Sequence, residues 1–209
     1  MTIAHAAILL LAAATGAGAQ QAADHGTFTL IQDGRAIATE SFERSGDRLE
    51  TELAVVDQAT LVTRADLNPD ATIARLEVEV FGPGGAAGEP IQSSAVTFAD
   101  GRASFEEPLG TATPGDREVD AGAVPYLNPS PASLEQILRR ARAIGGDRVT
   151  VPIWVPGPDG GNVATAAVEF GPGTATIAFG AARVETTTDA VGRLLSARVP
   201  SQNLVIERR

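Results

Sequence analysis

Short runs of alternating apolar and polar residues, cut every six to ten positions by Gly, Asp or Pro, dominate this chain. They constrain its fold more than any other feature. A period of two places successive side chains on opposite faces of an extended strand, whereas a helix needs a period of 3.6. In Arg75-Leu76-Glu77-Val78-Glu79-Val80-Phe81, Leu76, Val78 and Val80 share one face, and Arg75, Glu77 and Glu79 share the other. One apolar and one wet face is the pattern an antiparallel sheet tolerates. The same reading predicts strands at 26–32, 35–43, 48–56, 59–66, 73–81, 91–98 and 102–107. A second set is predicted at 148–155, 162–170, 174–179, 182–188, 192–199 and 203–208.

The connections agree with that reading. Asp33-Gly34 and Asp100-Gly101 each separate two runs, as a tight type I′ hairpin requires, because both central residues take positive φ. Gly157-Pro158-Asp159-Gly160-Gly161 and Gly171-Pro172-Gly173 suit longer hairpin loops. So dense a series of hairpins predicts a meander, each strand pairing with its neighbour in the chain.

One helix interrupts the strands. Ser130 can cap it with Pro131 in the first turn, or Ser133 and Gln136 can form a capping box one turn later. Leu134, Ile137, Leu138, Ala141 and Ile144 would fall on one face, Arg139, Arg140 and Arg142 crowd the last turns, and Gly145-Gly146 ends it. Such a helix must bury its stripe against the sheet. Residues 108–129, rich in Pro, Gly and Asp, read as a long loop within one domain.

The N-terminus supplies an address. Ala6–Ala14 is a short apolar run, followed by small residues ending in Ala17-Gly18-Ala19 and then Gln20. This is the pattern of a secretory signal peptide over 1–19, leaving a single β-rich domain over 20–209. The run is too short for the ~20 apolar residues of a membrane-spanning helix. With no cysteine anywhere, disulfides, thiolate chemistry and lipid attachment at a cysteine are ruled out. The expected product is therefore an exported, periplasmic or secreted protein without a stable membrane anchor.

Charge and side-chain inventory narrow the chemistry. A net charge of -10 disfavours nucleic-acid backbones and anionic lipid surfaces. All sixteen basic residues are arginine, so Schiff-base chemistry and a P-loop lysine are excluded. His5 leaves with the signal, and His25 lies in a polar segment that reads as a frayed, exposed tail. The Gly82–Gly88 loop lacks a following helix and reads as a hairpin loop, not a phosphate cradle. Glu77 and Glu79 read as solvated charges opposite arginines, and Glu106 and Glu107 as pointing to opposite faces. No cofactor or metal is expected.

Trp154, the only tryptophan, lies in Val151-Pro152-Ile153-Trp154-Val155, a strand apolar on both faces. Such a strand is either buried on both sides or lines a cavity with one of them. Trp154, Tyr126 and the helix residues Leu134, Ile137 and Leu138 are the candidate ligand-binding residues.

The closing segment adds a resemblance. Asp189-Ala190-Val191-Gly192-Arg193-Leu194-Leu195-Ser196, then Val199-Pro200-Ser201-Gln202-Asn203-Leu204-Val205-Ile206-Glu207-Arg208, is similar to the final hairpin of exported half-barrel families. These include the periplasmic lipoprotein carriers and uncharacterised bacterial relatives. The resemblance implies a curved sheet wrapped partly round a helical lid, with an apolar concave face for acyl chains or similar ligands.

The expected architecture is thus mainly β: a strongly curved antiparallel meander, an open or half barrel, with one amphipathic helix near 131–144. The expected function is non-catalytic binding or carriage of an apolar small molecule or lipid. A structural module binding a protein partner in the envelope is the alternative, and a hydrolase built on a carboxylate pair is the third reading.

Overall fold

A computed structural model describes residues 23–107, 115–157 and 160–209, so the predicted signal peptide lies outside the described residues. The first arm comprises β1 (Asp24–Gln32), β2 (Arg35–Ser45), β3 (Arg48–Val55), β4 (Thr60–Leu67), β5 (Ile73–Phe81), β6 (Gln92–Ala99), β7 (Arg102–Glu107) and β8 (Gly115–Glu118). The short β9 (Val124–Pro125) and the helix α1 (Pro131–Ile144) follow. The second arm comprises β10 (Arg148–Val155), β11 (Asn162–Gly171), β12 (Thr174–Phe179), β13 (Ala182–Thr188), β14 (Leu194–Val199) and β15 (Leu204–Arg208).

All fifteen strands join one sheet, ordered 8-7-6-5-4-3-2-1-15-14-13-12-11-10-9. Each of the thirteen predicted strands is present, with bounds within two residues of those read from the alternation. Asp33, Gly34, Asp100 and Gly101 all have positive φ, between 50° and 76°, as the two type I′ hairpins require. Residues 108–129 depart from the expectation of a long loop, because β8 and β9 lie within them. β8 extends one edge antiparallel to β7, and β9 extends the other parallel to β10.

This topology explains the curvature. The first and last strands pair in the middle of the sheet, with Leu30 opposite Ile206. The two outer edges, β8 and β9, are consecutive in the chain and separated only by residues 119–123. A chain of that length spans at most about 20 Å, far less than the width of a flat fifteen-stranded sheet at ~4.8 Å per strand. The sheet must therefore curl until its edges approach. Register shifts at Leu30/Ile31, Asp66/Leu67, Ala95/Val96 and Thr187/Thr188 supply local bends. No ladder joins β8 to β9, so the sheet stays an open, barrel-like curve.

α1 fills the concave side. Ser130 is its cap, accepting a hydrogen bond from the Ser133 amide at 3.1 Å, and Gly145, at φ 88°, ends it. Leu134, Ile137, Leu138 and Ala141 are buried as the stripe predicts, but Ile144 is exposed. The buried face is also less apolar than its spacing suggests, because Glu135 and Gln136 are buried with it. Gln136 bridges two elements of the first arm: its Oε1 accepts from Arg44 Nη1 at 2.8 Å, and its Nε2 donates to the Ala71 carbonyl at 2.7 Å. It is therefore engaged with the sheet, and Ser130 provides the cap.

Glu40 of β2 meets the start of the helix. It is fully buried and accepts hydrogen bonds from Ser130 Oγ at 2.6 Å and the Ala132 amide at 2.8 Å. Burial pushes its carboxyl from an ordinary 4.5 up to about 7, against the downward pull of those donors. Because the folded pKa lies above the unfolded one, the protonated form favours folding. The contribution is complete below pH 4.5 and is lost as pH rises through about 7. Stability should fall by roughly 3 kcal/mol across that interval on account of this group. Urea unfolding followed at both ends of the window should show the slope in the parent protein. Glu40→Gln, an isostere of the protonated acid, should flatten it; an unchanged slope would show that another group is responsible.

Candidate ligand cavity

A cavity of about 450 Å³ lies between the N-terminal half of α1 and the second arm of the sheet. This lies within the ordinary range for small-molecule sites. Alternate residues on the strands build its wall: Ile153 and Val155 on β10, Val184 on β13, and Leu204 and Ile206 on β15. Leu134 closes it from the helix, and Phe179 ends β12 beside it. Small residues, Ala164 and Ala182 on strands with Gly180 in the turn between β12 and β13, leave the space open. Besides the Tyr126 hydroxyl, Asn128, Thr165 and Gln202 are the polar side chains among its lining residues. All three are exposed, which places them at a rim and leaves the interior apolar.

Tyr126 forms one side of the entrance. Its amide donates to the Trp154 carbonyl at 2.9 Å, fixing the segment against β10. Its ring stacks on Phe179, with centroids 5.0 Å apart and planes 15° from parallel. Its hydroxyl donates to Asn128 Oδ1 at 3.2 Å. Burial pushes the phenol up to about 12, so it remains a neutral donor at physiological pH.

Of the five sequence candidates, Tyr126 and Leu134 line this cavity. Ile137 and Leu138, fully buried, belong to the packed core beneath the helix and are absent from the wall. Trp154 is also outside it, on the face of β10 opposite Ile153. Its ring packs edge-on against Phe98 at 5.5 Å and tilted against Phe105 at 5.8 Å, both on the other arm of the sheet. Its Nε1 donates to the Gly160 carbonyl at 3.0 Å. β10 is apolar on both faces because one lines the cavity and the other locks the two arms together. Gly161, at φ 82°, lets the chain pass this lock: a Cβ there would sit 2.5 Å from the Val155 carbonyl and 2.7 Å from Trp154 Nε1.

Val184, Leu204, Ile206 and Phe179 escaped the sequence reading. Their alternation marks them as inward-facing, but nothing local tells which part of the inner face the helix covers. Only the end-to-end order of the strands decides that.

Of the remaining charged candidates, Glu77, Glu79 and Glu106 serve the scaffold, and the Glu107 side chain lies outside the described residues. Arg75 pairs bidentately with Glu106, at 2.7 and 2.9 Å, and with Glu77 at 3.2 Å, while Arg64 holds Glu79 at 2.8 Å. Arg75–Glu106 and Arg64–Glu79 are cross-strand ion pairs of a wet sheet face, and Arg75–Glu77 lies within β5. Glu40 and Glu135 are the two buried glutamates among the described residues, yet neither lines the cavity, and both are engaged by structural donors. His25 is not a frayed tail but part of β1, opposite Glu43 and exposed. The Gly82–Gly88 segment connects β5 to β6 as a hairpin loop. Among the described residues no group of three acidic, His or Cys side chains is placed to hold a metal.

No protein-family model and no curated protein matches this chain. Among the solved structures that share its fold are two proteins from domain families named as of unknown function or by number alone. A DUF1089 family protein from Pseudomonas aeruginosa superimposes with a TM-score of 0.58 at 15% identity, over 78% of this chain and 89% of its own. A β-barrel-like protein of the domain of unknown function DUF1849, from Brucella abortus, gives a TM-score of 0.53 at 13% identity, over 88% and 94% respectively. At these identities the likeness is one of fold.

Proposed function

We propose that this protein is an exported, non-catalytic binder or carrier of an apolar, lipid-like ligand, held in the cavity between α1 and strands β10–β15. The observation that carries the reading is the distribution of polarity. An apolar chamber of about 450 Å³ with Asn128, Thr165, Gln202 and the Tyr126 hydroxyl at its rim suits a molecule with a long apolar body and a small polar end. Burial of the ligand's apolar surface would drive binding at ~25 cal/mol per Å², less the cost of ordering it. The short apolar run and the Ala-x-Ala at 17–19 support export. A curved sheet around one helix supports the kinship of design with acyl-chain carriers.

Native mass spectrometry of the purified protein, together with titration of an environment-sensitive naphthylamine dye, tests the reading. A co-purifying lipid-sized mass and saturable dye fluorescence are expected. Ala164→Leu combined with Ala182→Leu places new side chains in the cavity from its less buried wall, and should weaken dye binding about tenfold or more, the loss of ~1.4 kcal/mol. Absence of any bound mass across preparations, with dye binding indifferent to the filled cavity, would overturn the proposal.

A further inference from the structure

At the other end of α1 a second cleft, of about 640 Å³, is lined by Arg44 of β2 and by Gln136, Arg139 and Arg142 of the helix. An adjoining hollow of about 270 Å³ shares Arg44 and Arg139 and adds Arg193. Four guanidiniums thus converge on one end of a protein whose net charge is -10.

Their partners are unequal. Arg139 is paired with Glu135 at 2.8 Å and Asp24 at 3.4 Å, and Arg193 with Asp189 at 2.6 Å. Arg44 and Arg142 have no carboxylate partner among the described residues. Arg44 is only 8% exposed, donates through Nη1 to the neutral Gln136, and leaves its buried Nε without an acceptor. Arg142 donates to the Gly192 carbonyl at 2.6 Å and lies 4.9 Å over the Phe170 ring. A buried cation such as Arg44 without a carboxylate in direct contact is costly. Burial and the nearby Arg139 charge pull Arg44 down to about 10, and the same two influences lower Arg142. Against these charges stand Asp47 at the cleft wall and Asp24 in the hollow, with Glu135 and Asp24 acting on Arg44 and Glu135 and Asp189 on Arg142 without touching them, and the negative end of the helix dipole.

We propose that this cleft is a phosphate-binding site, in which Arg44 and Arg142, assisted by Arg139, hold the oxyanion of a free phosphate group or of a phospholipid headgroup. Guanidinium forks match phosphate oxygens in paired, charge-assisted hydrogen bonds, and a dianion suits several converging guanidiniums better than a single carboxylate does. The site is separate from the apolar cavity and stands or falls without it.

The test is a titration of inorganic phosphate into the purified protein at fixed ionic strength, following arginine side-chain NMR signals. The Nε–H resonances of Arg44 and Arg142 should move saturably, while that of Arg148, exposed on β10 and paired with Glu169, should not. Arg142→Gln should weaken binding about tenfold, the worth of one charge-assisted hydrogen bond. Arg142→Lys, which keeps the charge, should retain part of it. An adventitious response, with Arg148 moving as far as Arg44, or a folded Arg142→Gln that titrates like the parent, would overturn the site. Flotation with phosphatidylglycerol vesicles separates the sources. Flotation lost in Arg142→Gln assigns the phosphate to a headgroup, and phosphate saturation without flotation assigns it to a free anion.

Discussion

Trp154→Ala is expected to lower the unfolding free energy by about 3–5 kcal/mol, the usual cost of deleting a buried large aromatic. Trp154 is 1% exposed and is the side chain through which β10 grips Phe98 and Phe105 on the opposite arm. The loss has two parts. Removing the indole leaves a cavity at the seam where the sheet overlaps itself, and it leaves the Gly160 carbonyl without its donor. Trp154→Phe keeps most of the volume and loses mainly the hydrogen bond, so it should cost less, with about 1 kcal/mol for the bond itself. Urea unfolding followed by far-ultraviolet circular dichroism checks both, since the variants lack the only tryptophan. If the Ala variant is no less stable than the Phe variant, the seam does not hold the two arms together.

Glu135→Ala should be comparably severe, at about 3–5 kcal/mol, because it breaks a buried ion network from one side. Glu135 is 2% exposed. Its Oε1 accepts from Arg139 Nε at 2.9 Å, and its Oε2 accepts from the Leu194 amide at 3.0 Å and from Arg208 Nη1 at 3.3 Å. Arg208 also bonds Asp24 and lies 4.7 Å over the Phe42 ring. One helical carboxylate therefore ties α1 to the start of β14, to β15 and, through Arg208 and Arg139, to β1. These are the strands that close the ladder between the two ends of the chain. Truncation leaves Arg208 and Arg139 partly buried with less compensation and the Leu194 amide unpaired. Glu135→Gln retains the volume and an acceptor oxygen and should cost less. Thermal unfolding of both variants measures the difference. Equal, small losses would mean that the helix is held by its apolar contacts alone.

Such a network is hard to see in a sequence. In Ser130-Pro131-Ala132-Ser133-Leu134-Glu135-Gln136, the apolar spacing marks the buried stripe correctly for Leu134, Ile137 and Leu138. Glu135 lies beside that stripe and Gln136 reads as a capping-box partner of Ser133, and neither is marked for burial, because exposed glutamates and glutamines are the rule. They are buried since the sheet curls around the helix and covers more of its circumference than a flat sheet would. Their partners, Arg44, Ala71, Leu194 and Arg208, are distant in sequence. The candidate cavity is legible only in part: of the five residues proposed from the sequence, Tyr126 and Leu134 line it, Ile137 and Leu138 lie in the packed core, and Trp154 faces away from it, opposite Ile153.

Thirteen strands, the two Asp-Gly hairpins and a serine cap at the start of the helix follow from the sequence alone, because each rests on local chemistry; that the cap is Ser130 was decided when Gln136 was drawn to the sheet. Alternation comes from the pleat, positive φ from the residues of the turn, and the cap from one side chain and the amide three residues on. Curvature, the overlap at Trp154 and the choice of which inward residues enclose space were decided only by tertiary structure. They depend on β1 meeting β15 and on β8 and β9 being forced close by a five-residue connection. Pairings across the whole length of the chain leave no mark in any short stretch of it.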